Sequence, residues 1–106
     1  MKLTNEHRVA LNFGDEQVVF TLRNPSNKEL NDFMASRWDI KRRGKLKDNT
    51  IEARAALFDK LLTGVENLED TAGVPIGPDR PGEIPENWKS SVIFQLFEEV
   101  EIEEKN

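Results

Sequence analysis

The chain has 106 residues and a mass of 12.2 kDa, enough for one domain around one modest core. With 37% apolar residues, 33% charged residues and a mean hydropathy of −0.64, it is a polar globular sequence, and no run approaches the ~18 apolar residues of a membrane span. It has no cysteine and one histidine, His7, which excludes a disulfide framework, thiolate metal sites and cysteine nucleophiles and leaves a zinc site or a Ser-His-Asp triad resting on a single residue.

The opening residues, MKLTNEHR, lack the apolar stretch of a signal peptide, which predicts a protein that stays in the cytoplasm where it is made. The net charge of −5 is unevenly spread. Residues 1–53 carry ten basic and eight acidic side chains, a balance of +2, and residues 54–106 carry five and twelve, a balance of −7. Such a chain can attract copies of itself or an oppositely charged partner, and its acidic balance argues against a nucleic-acid partner.

In chain order, the first element is a hairpin. HRVALNF and QVVFTLR flank Gly14-Asp15, a two-residue turn whose first position suits the positive φ of glycine. That turn sets Phe13 opposite Glu16, Leu11 opposite Val18, Val9 opposite Phe20 and His7 opposite Leu22. One face is then largely apolar, with Arg8, Ala10, Asn12, Thr21 and Arg23 on the other, and a one-residue slip would spoil the pattern.

Next, Ser26 and Glu29 have capping-box spacing and open a first helix with an apolar stripe of Leu30, Phe33, Met34 and Trp38. Gly44 separates it from a second helix, capped by Asn49 or Thr50. That helix carries Ile51, Ala55, Phe58, Leu62 and Val65 in its stripe, is widened by Leu57 and Leu61, and is expected to end near Gly64. Residues 66–85 read as a Gly/Pro-rich acidic loop. A third helix begins near Pro85 with Glu86 in its first turn, burying Trp88, Val92, Ile93, Leu96 and Phe97 and leaving Phe94 outside the stripe. The tail at 98–106 is acidic and fits either a short strand or a fraying helix. The expected architecture is a single α+β domain, an N-terminal antiparallel β-hairpin packed against three α-helices, whose strand edges stay open unless the tail or another copy pairs with them.

Chemistry is sparse. Gly73 has neither the Gly-Lys-Ser/Thr nor the preceding strand of a phosphate loop. Asp70, Asp79, Glu66, Glu69 and Glu83 lack the spacing of a calcium loop, and no carboxylate stands in an apolar run that would raise its pKa. No catalytic residue, metal ligand or cofactor is expected. The candidates are for partner binding. Lys41, Arg42, Arg43, Lys45 and Lys47 form a basic stretch that reads as a phosphate-contacting loop, a solvated loop, or a counterpart of the glutamates at 98–104. Arg37 and Arg54 intrude on the apolar stripes, either snorkelling from helix ends or meeting a partner's carboxylate. Trp38 and Phe94 are aromatics available to a helical partner.

FTLRNPSNKELNDF resembles the strand-Arg-x-Pro-Ser/Thr-x-x-Glu opening of the small tail assembly chaperones of long-tailed bacteriophages and prophages. LLTGVENLEDTAGVPI followed by IPENWKSSVIFQLFEEV is similar to their second half, so the resemblance spans roughly residues 17–100. The chain departs from it at Gly64-Val65-Glu66, where an aromatic-acidic pair is expected before the loop glycine. The resemblance implies a non-enzymatic chaperone that binds the tape-measure protein, helps recruit tail-tube subunits and leaves before the virion is complete. It also implies a longer form made by ribosomal frameshifting, for which Glu104-Lys105-Asn106 could be encoded by a slippery run, while the charge asymmetry and open hairpin edges suit a homo-oligomer. In that setting residues 64–85 read as a mobile presenting loop. An acidic bacterial adaptor and a nucleic-acid-associated factor using residues 41–47 are the alternatives.

Overall fold

Strand β1 (Glu6–Phe13) turns through Gly14, at φ 63°, into β2 (Glu16–Arg23), and the pairing runs from Glu6 opposite Arg23 to Phe13 opposite Glu16. The computed structural model describes residues 6–40 and 46–99, with the side chains of 38–40, 46–48 and 98–99 excepted. The register is the one the turn dictates, and the fold is α+β as the element order implies. Val9, Val18, Phe20 and Leu22 line the inner face and are buried.

The passage from sheet to first helix is a compact hydrogen-bonded joint. Ser26 caps α1 (Asn27–Ser36): its Oγ accepts from the Glu29 amide at 3.1 Å, while Glu29 Oε1 accepts from the Ser26 amide at 2.9 Å. Arg23, at the end of β2, donates to both carboxylate oxygens of Glu29 at 2.8 and 2.7 Å and to the Lys60 carbonyl at 3.2 Å. One guanidinium thereby ties sheet, first helix and the end of the second helix together. The Arg23 bidentate bond, aided by the Ser26 amide, holds the Glu29 carboxyl well below its ordinary value, from 4.5 to about 2.

The stripe expected on α1 is thinner than its periodicity suggests. Phe33 is buried, but Met34 is 58% exposed, and the helix stops at Ser36 so that Trp38 lies in a strand. Here β3 (Trp38–Ile40) and β4 (Leu46–Asp48) pair antiparallel as a small ribbon, where a helix end and a loop were expected. The Asn49 amide donates to the Arg37 carbonyl at 2.8 Å and closes the base of that ribbon. Gly44 lies outside the described residues.

Helix α2 (Thr50–Leu61) starts where expected, although its N-cap Asn49 makes no side-chain capping bond. It buries Ala53, Ala55, Leu57, Phe58 and Leu61, and Ile51 at the head of the expected stripe is 51% exposed. The helix then ends at Leu61, before Gly64, and the chain continues directly as β5 (Leu62–Glu66), antiparallel to β2 in a sheet of order β1-β2-β5. Leu62 and Val65, three residues apart, fit a helical repeat, and in a strand they share a face only where the pairing shifts register between them. The unpaired edge of β2 decides between helix and strand, because its backbone groups gain partners only if a strand arrives there. The pairing shifts register at Thr21/Leu22, and the hydroxyl of the intervening Thr63 donates to the Thr21 carbonyl at 3.1 Å. Asn67, at φ 65°, then turns the chain out of the sheet and donates from Nδ2 to the Gln17 carbonyl at 2.8 Å.

The acidic loop therefore begins at residue 67 rather than 66, and it is tied along its length. Asp70 Oδ1 accepts from the Ala72 and Val74 amides at 2.9 and 3.0 Å, and its Oδ2 accepts from Arg80 at 2.7 Å. Gly73, at φ 80°, completes the turn by donating to the Asp70 carbonyl at 3.0 Å. Ile76 and Ile84 are buried in the core on either side of a short 3₁₀ turn at Pro81–Glu83. Two apolar anchors and one ion-pair hub thus tie this segment to the rest of the domain. Helix α3 (Glu86–Ile93) follows Pro85 and passes into a wider π-helical stretch at Phe94–Glu99. Val92 and Ile93 are fully buried, with Trp88, Leu96 and Phe97 packed at the core margin. Lys89 is also buried, its ammonium 2.7 Å from Asp59 and 5.9 Å from the Phe58 ring centre.

At the centre of the core Phe20 and Phe58 meet edge-to-face, with ring centres 5.4 Å apart and both rings inaccessible to solvent. Phe58→Ala is expected to cost about 3–5 kcal/mol, while Met34→Ala stays within about 0.5 kcal/mol, in urea unfolding. The Glu29 joint also gives a pH signature. Because its folded-state pKa is depressed, its contribution is fully present above the ordinary value of 4.5 and is lost as pH falls toward about 2. Glu29→Gln is expected to flatten stability across that acid window relative to the parent, measured by thermal melts at stepped pH.

Candidate partner-binding surface

Of the residues singled out for partner binding, the structure brings Arg54 and Phe94 together. Arg54 projects from the first turns of α2, and Phe94 follows the last residue of α3. The helices pack so that the guanidinium lies 5.3 Å from the Phe94 ring centre, and its Nη1 donates to Ser90 Oγ at 3.2 Å. Phe94 is thereby held at the surface, 36% exposed, beneath a cation. Arg54, Ser90, Ser91, Phe94 and Gln95 line a broad open concavity of about 660 Å³. Its chemistry is that of a recognition surface, with a delocalised cation, two hydroxyls, an amide and an aromatic edge, suited to acceptor groups and apolar side chains of a protein partner.

Arg37 sits at the end of α1, half-buried, with its guanidinium 5.7 Å from the Phe33 ring centre. Both stripe arginines therefore lie over phenylalanine faces, an arrangement that apolar periodicity alone does not specify. Trp38 pairs with Asp48 in the backbone of the ribbon, and Lys47 pairs with Asp39, but their side chains lie outside the described set. Lys41, Arg42, Arg43 and Lys45 lie outside the described residues, as does the tail from residue 100.

A second surface escaped the sequence reading. Phe13, on the inner face at the turn end of the hairpin, meets Trp88 in a tilted ring contact, centres 4.6 Å apart and planes inclined by 33°, and remains 42% exposed. A cleft of about 500 Å³ runs past this pair, lined also by Glu16, Val18, Leu68 and Glu69. The hairpin register already set Phe13 beside Glu16. The approach of Trp88 and of the 67–70 segment is a tertiary event with no local signal.

Among the described residues no group of three or more His, Asp or Glu side chains is placed to hold a metal ion, and no helix is long and apolar enough to cross a membrane. His7 hydrogen-bonds Asn24 at the open end of the hairpin and meets Phe97 edge-on at 6.4 Å. Asp70, a carboxylate considered for calcium, is held below its ordinary pKa by Arg80 first and by the Val74 amide next, and its acceptors serve the loop. In comparisons with known proteins, the chain matches no family profile, no curated protein and no solved structure.

The Arg54–Phe94 contact is open to a double-mutant cycle. Arg54→Gln and Phe94→Leu are expected to couple by about 0.5–1 kcal/mol in chemical denaturation, the range of a partly exposed cation–aromatic pair. Strict additivity would mean that the contact carries no energy.

Proposed function

We propose that this chain is a non-enzymatic tail assembly chaperone of a long-tailed phage or prophage. It binds the tape-measure protein in the bacterial cytoplasm and helps bring tail-tube subunits to it. The observation that carries the reading is the part played by the residues of the resemblance. In the strand-Arg-x-Pro-Ser-x-x-Glu stretch, Arg23, Ser26 and Glu29 form one hydrogen-bonded joint between β2 and α1. The spacing in that stretch thus has a structural reason here, which a chance match of short strings would not require.

The surfaces suit the role. Among the described residues the outer edges of β1 and β5 pair with no further strand. Such edges can accept an extended segment of a client, and the Arg54–Phe94 concavity offers an amphipathic helix an aromatic contact beside a cation. Binding through these surfaces would shield apolar faces of a long helical client without chemistry on it.

The test is a pull-down from the native source, with the N-terminus tagged at its own locus and any prophage induced. A very long helical protein and a tube-like subunit in the eluate are the expected result, with an extended form of the bait if frameshifting occurs. Ordinary host proteins alone, while tails are demonstrably being made, would overturn the chaperone reading and leave an acidic adaptor. Binding to nucleic acid with a steep salt slope, lost on charge reversal of Lys41, Arg42, Arg43, Lys45 and Lys47, would move the function to that alternative.

A further inference from the structure

We propose that the Phe13–Trp88 cleft receives the basic segment 41–47 of a second copy of this chain. The cleft has an aromatic floor and an acidic wall. Phe13 keeps 42% of its surface in solvent although it belongs to the inner face of the sheet, and the Trp88 ring lies tilted against it, centres 4.6 Å apart. Aromatic faces beside carboxylates form a receptor for lysine and arginine, because the ring quadrupole and the anions attract the same group while the aliphatic stem packs on the rings.

The carboxylates are divided in their commitments. Arg80 engages Asp70 and Glu83, so these two are already answered from within the loop. Glu16 and Glu69, on the cleft's wall, form no ion pair among the described residues. The cations of Arg8, Arg23, Lys28 and Lys89 are engaged elsewhere, with Glu66, Glu29, Asp32 and Asp59. The cleft thus combines an exposed aromatic surface with two carboxylates that form no ion pair among the described residues.

The chain carries the complement itself. Lys41, Arg42, Arg43, Lys45 and Lys47 place five cations in seven residues, within a half of balance +2 facing a half of balance −7. Ile40, just before this segment, pairs with Leu46 within it, and Lys47 pairs with Asp39 in the β3–β4 ribbon, so the backbone on either side of residues 41–45 is held side by side. Donor and acceptor come from different residues of the chain, so two copies can exchange segments reciprocally, each giving its basic segment and receiving the other's. Charge complementarity then sets both the orientation and the salt dependence of the pair.

The test is sedimentation equilibrium of the full chain over a wide concentration range at low and high salt, with three proteins. The parent is expected to self-associate at low salt and to dissociate as salt rises. Glu16→Lys with Glu69→Lys should weaken self-association by about tenfold or more, the scale of one or two lost charge pairs. Reversing Lys41, Arg42 and Arg43 to glutamate should do the same. The decisive arm mixes these two variants. One keeps an intact segment and the other an intact cleft, so the mixture should associate where each alone does not. Circular dichroism of each variant separates lost pairing from lost folding, and Glu16 and Glu69 are exposed positions. A parent that is monomeric at every concentration overturns the proposal, even if the cleft captures a free oligolysine peptide. Self-association that ignores salt and both variants overturns it as well, as does a mixture that stays monomeric.

Discussion

The inner face of β2 is the constraint on which the rest of this fold depends. Val18, Phe20 and Leu22 point to one side because the Gly14-Asp15 turn fixes the hairpin register, and every covering element is placed against them. Phe20 takes the edge of Phe58 from α2, and Leu22 and Phe20 stand opposite Leu62 and Val65 of β5. With β1 on one edge and β5 on the other, β2 is, among the described residues, the only strand of its sheet with both edges paired. A hairpin alone would be marginal, and the third strand with the crossing helices turns it into a core.

Around that strand the polar groups are arranged at junctions. Arg23 leaves β2 on the outer side, yet its guanidinium reaches Glu29 of α1 and the Lys60 carbonyl near the end of α2. Asp70 organises the long loop in the same manner, accepting two backbone amides and Arg80. Both carboxyls are held below their ordinary values because they accept several charged or amide donors at once. The functional consequence is an ordered surface. The loop presents Glu69 and Leu68 at defined positions beside Trp88, and α3 carries Phe94 to the guanidinium of Arg54. The first concavity sets a cation and an aromatic ring beside hydroxyl and amide groups, and the second sets two aromatic rings beside carboxylates.

How far the fold was legible follows from the range of each interaction. The turn, the strand register, the Ser26–Glu29 capping box, the start of α2 and the start of α3 after Pro85 are local, and each is stabilised by residues within a few positions of one another. The failures fall where periodicity was consistent with two answers. Leu61, Leu62 and Val65 satisfy a helical repeat, and only the open edge of β2, far away in sequence, turns Leu62–Glu66 into a strand. Met34 and Ile51 have helical spacing, but among the described residues they stay exposed, at 58% and 51%. The site divides in the same way. Arg54 and Phe94 could be named separately from their helical phases, whereas their mutual contact could not. Trp88 could be read as buried, but its contact with an open Phe13 could not.

What the sequence by itself determined, then, is the α+β class, the hairpin with its register, the capping of α1 and an inventory of side chains poor in catalytic groups. These follow from short-range sterics, hydrogen bonding and alternation of apolar residues, which act whatever the rest of the chain does. Only the tertiary structure decided the third strand, the anchoring of the acidic loop by Ile76 and Ile84, and the two surface clefts. Each of those depends on satisfying a distant strand edge or filling a distant core face, and the free energy of doing so belongs to the assembled chain rather than to any segment of it.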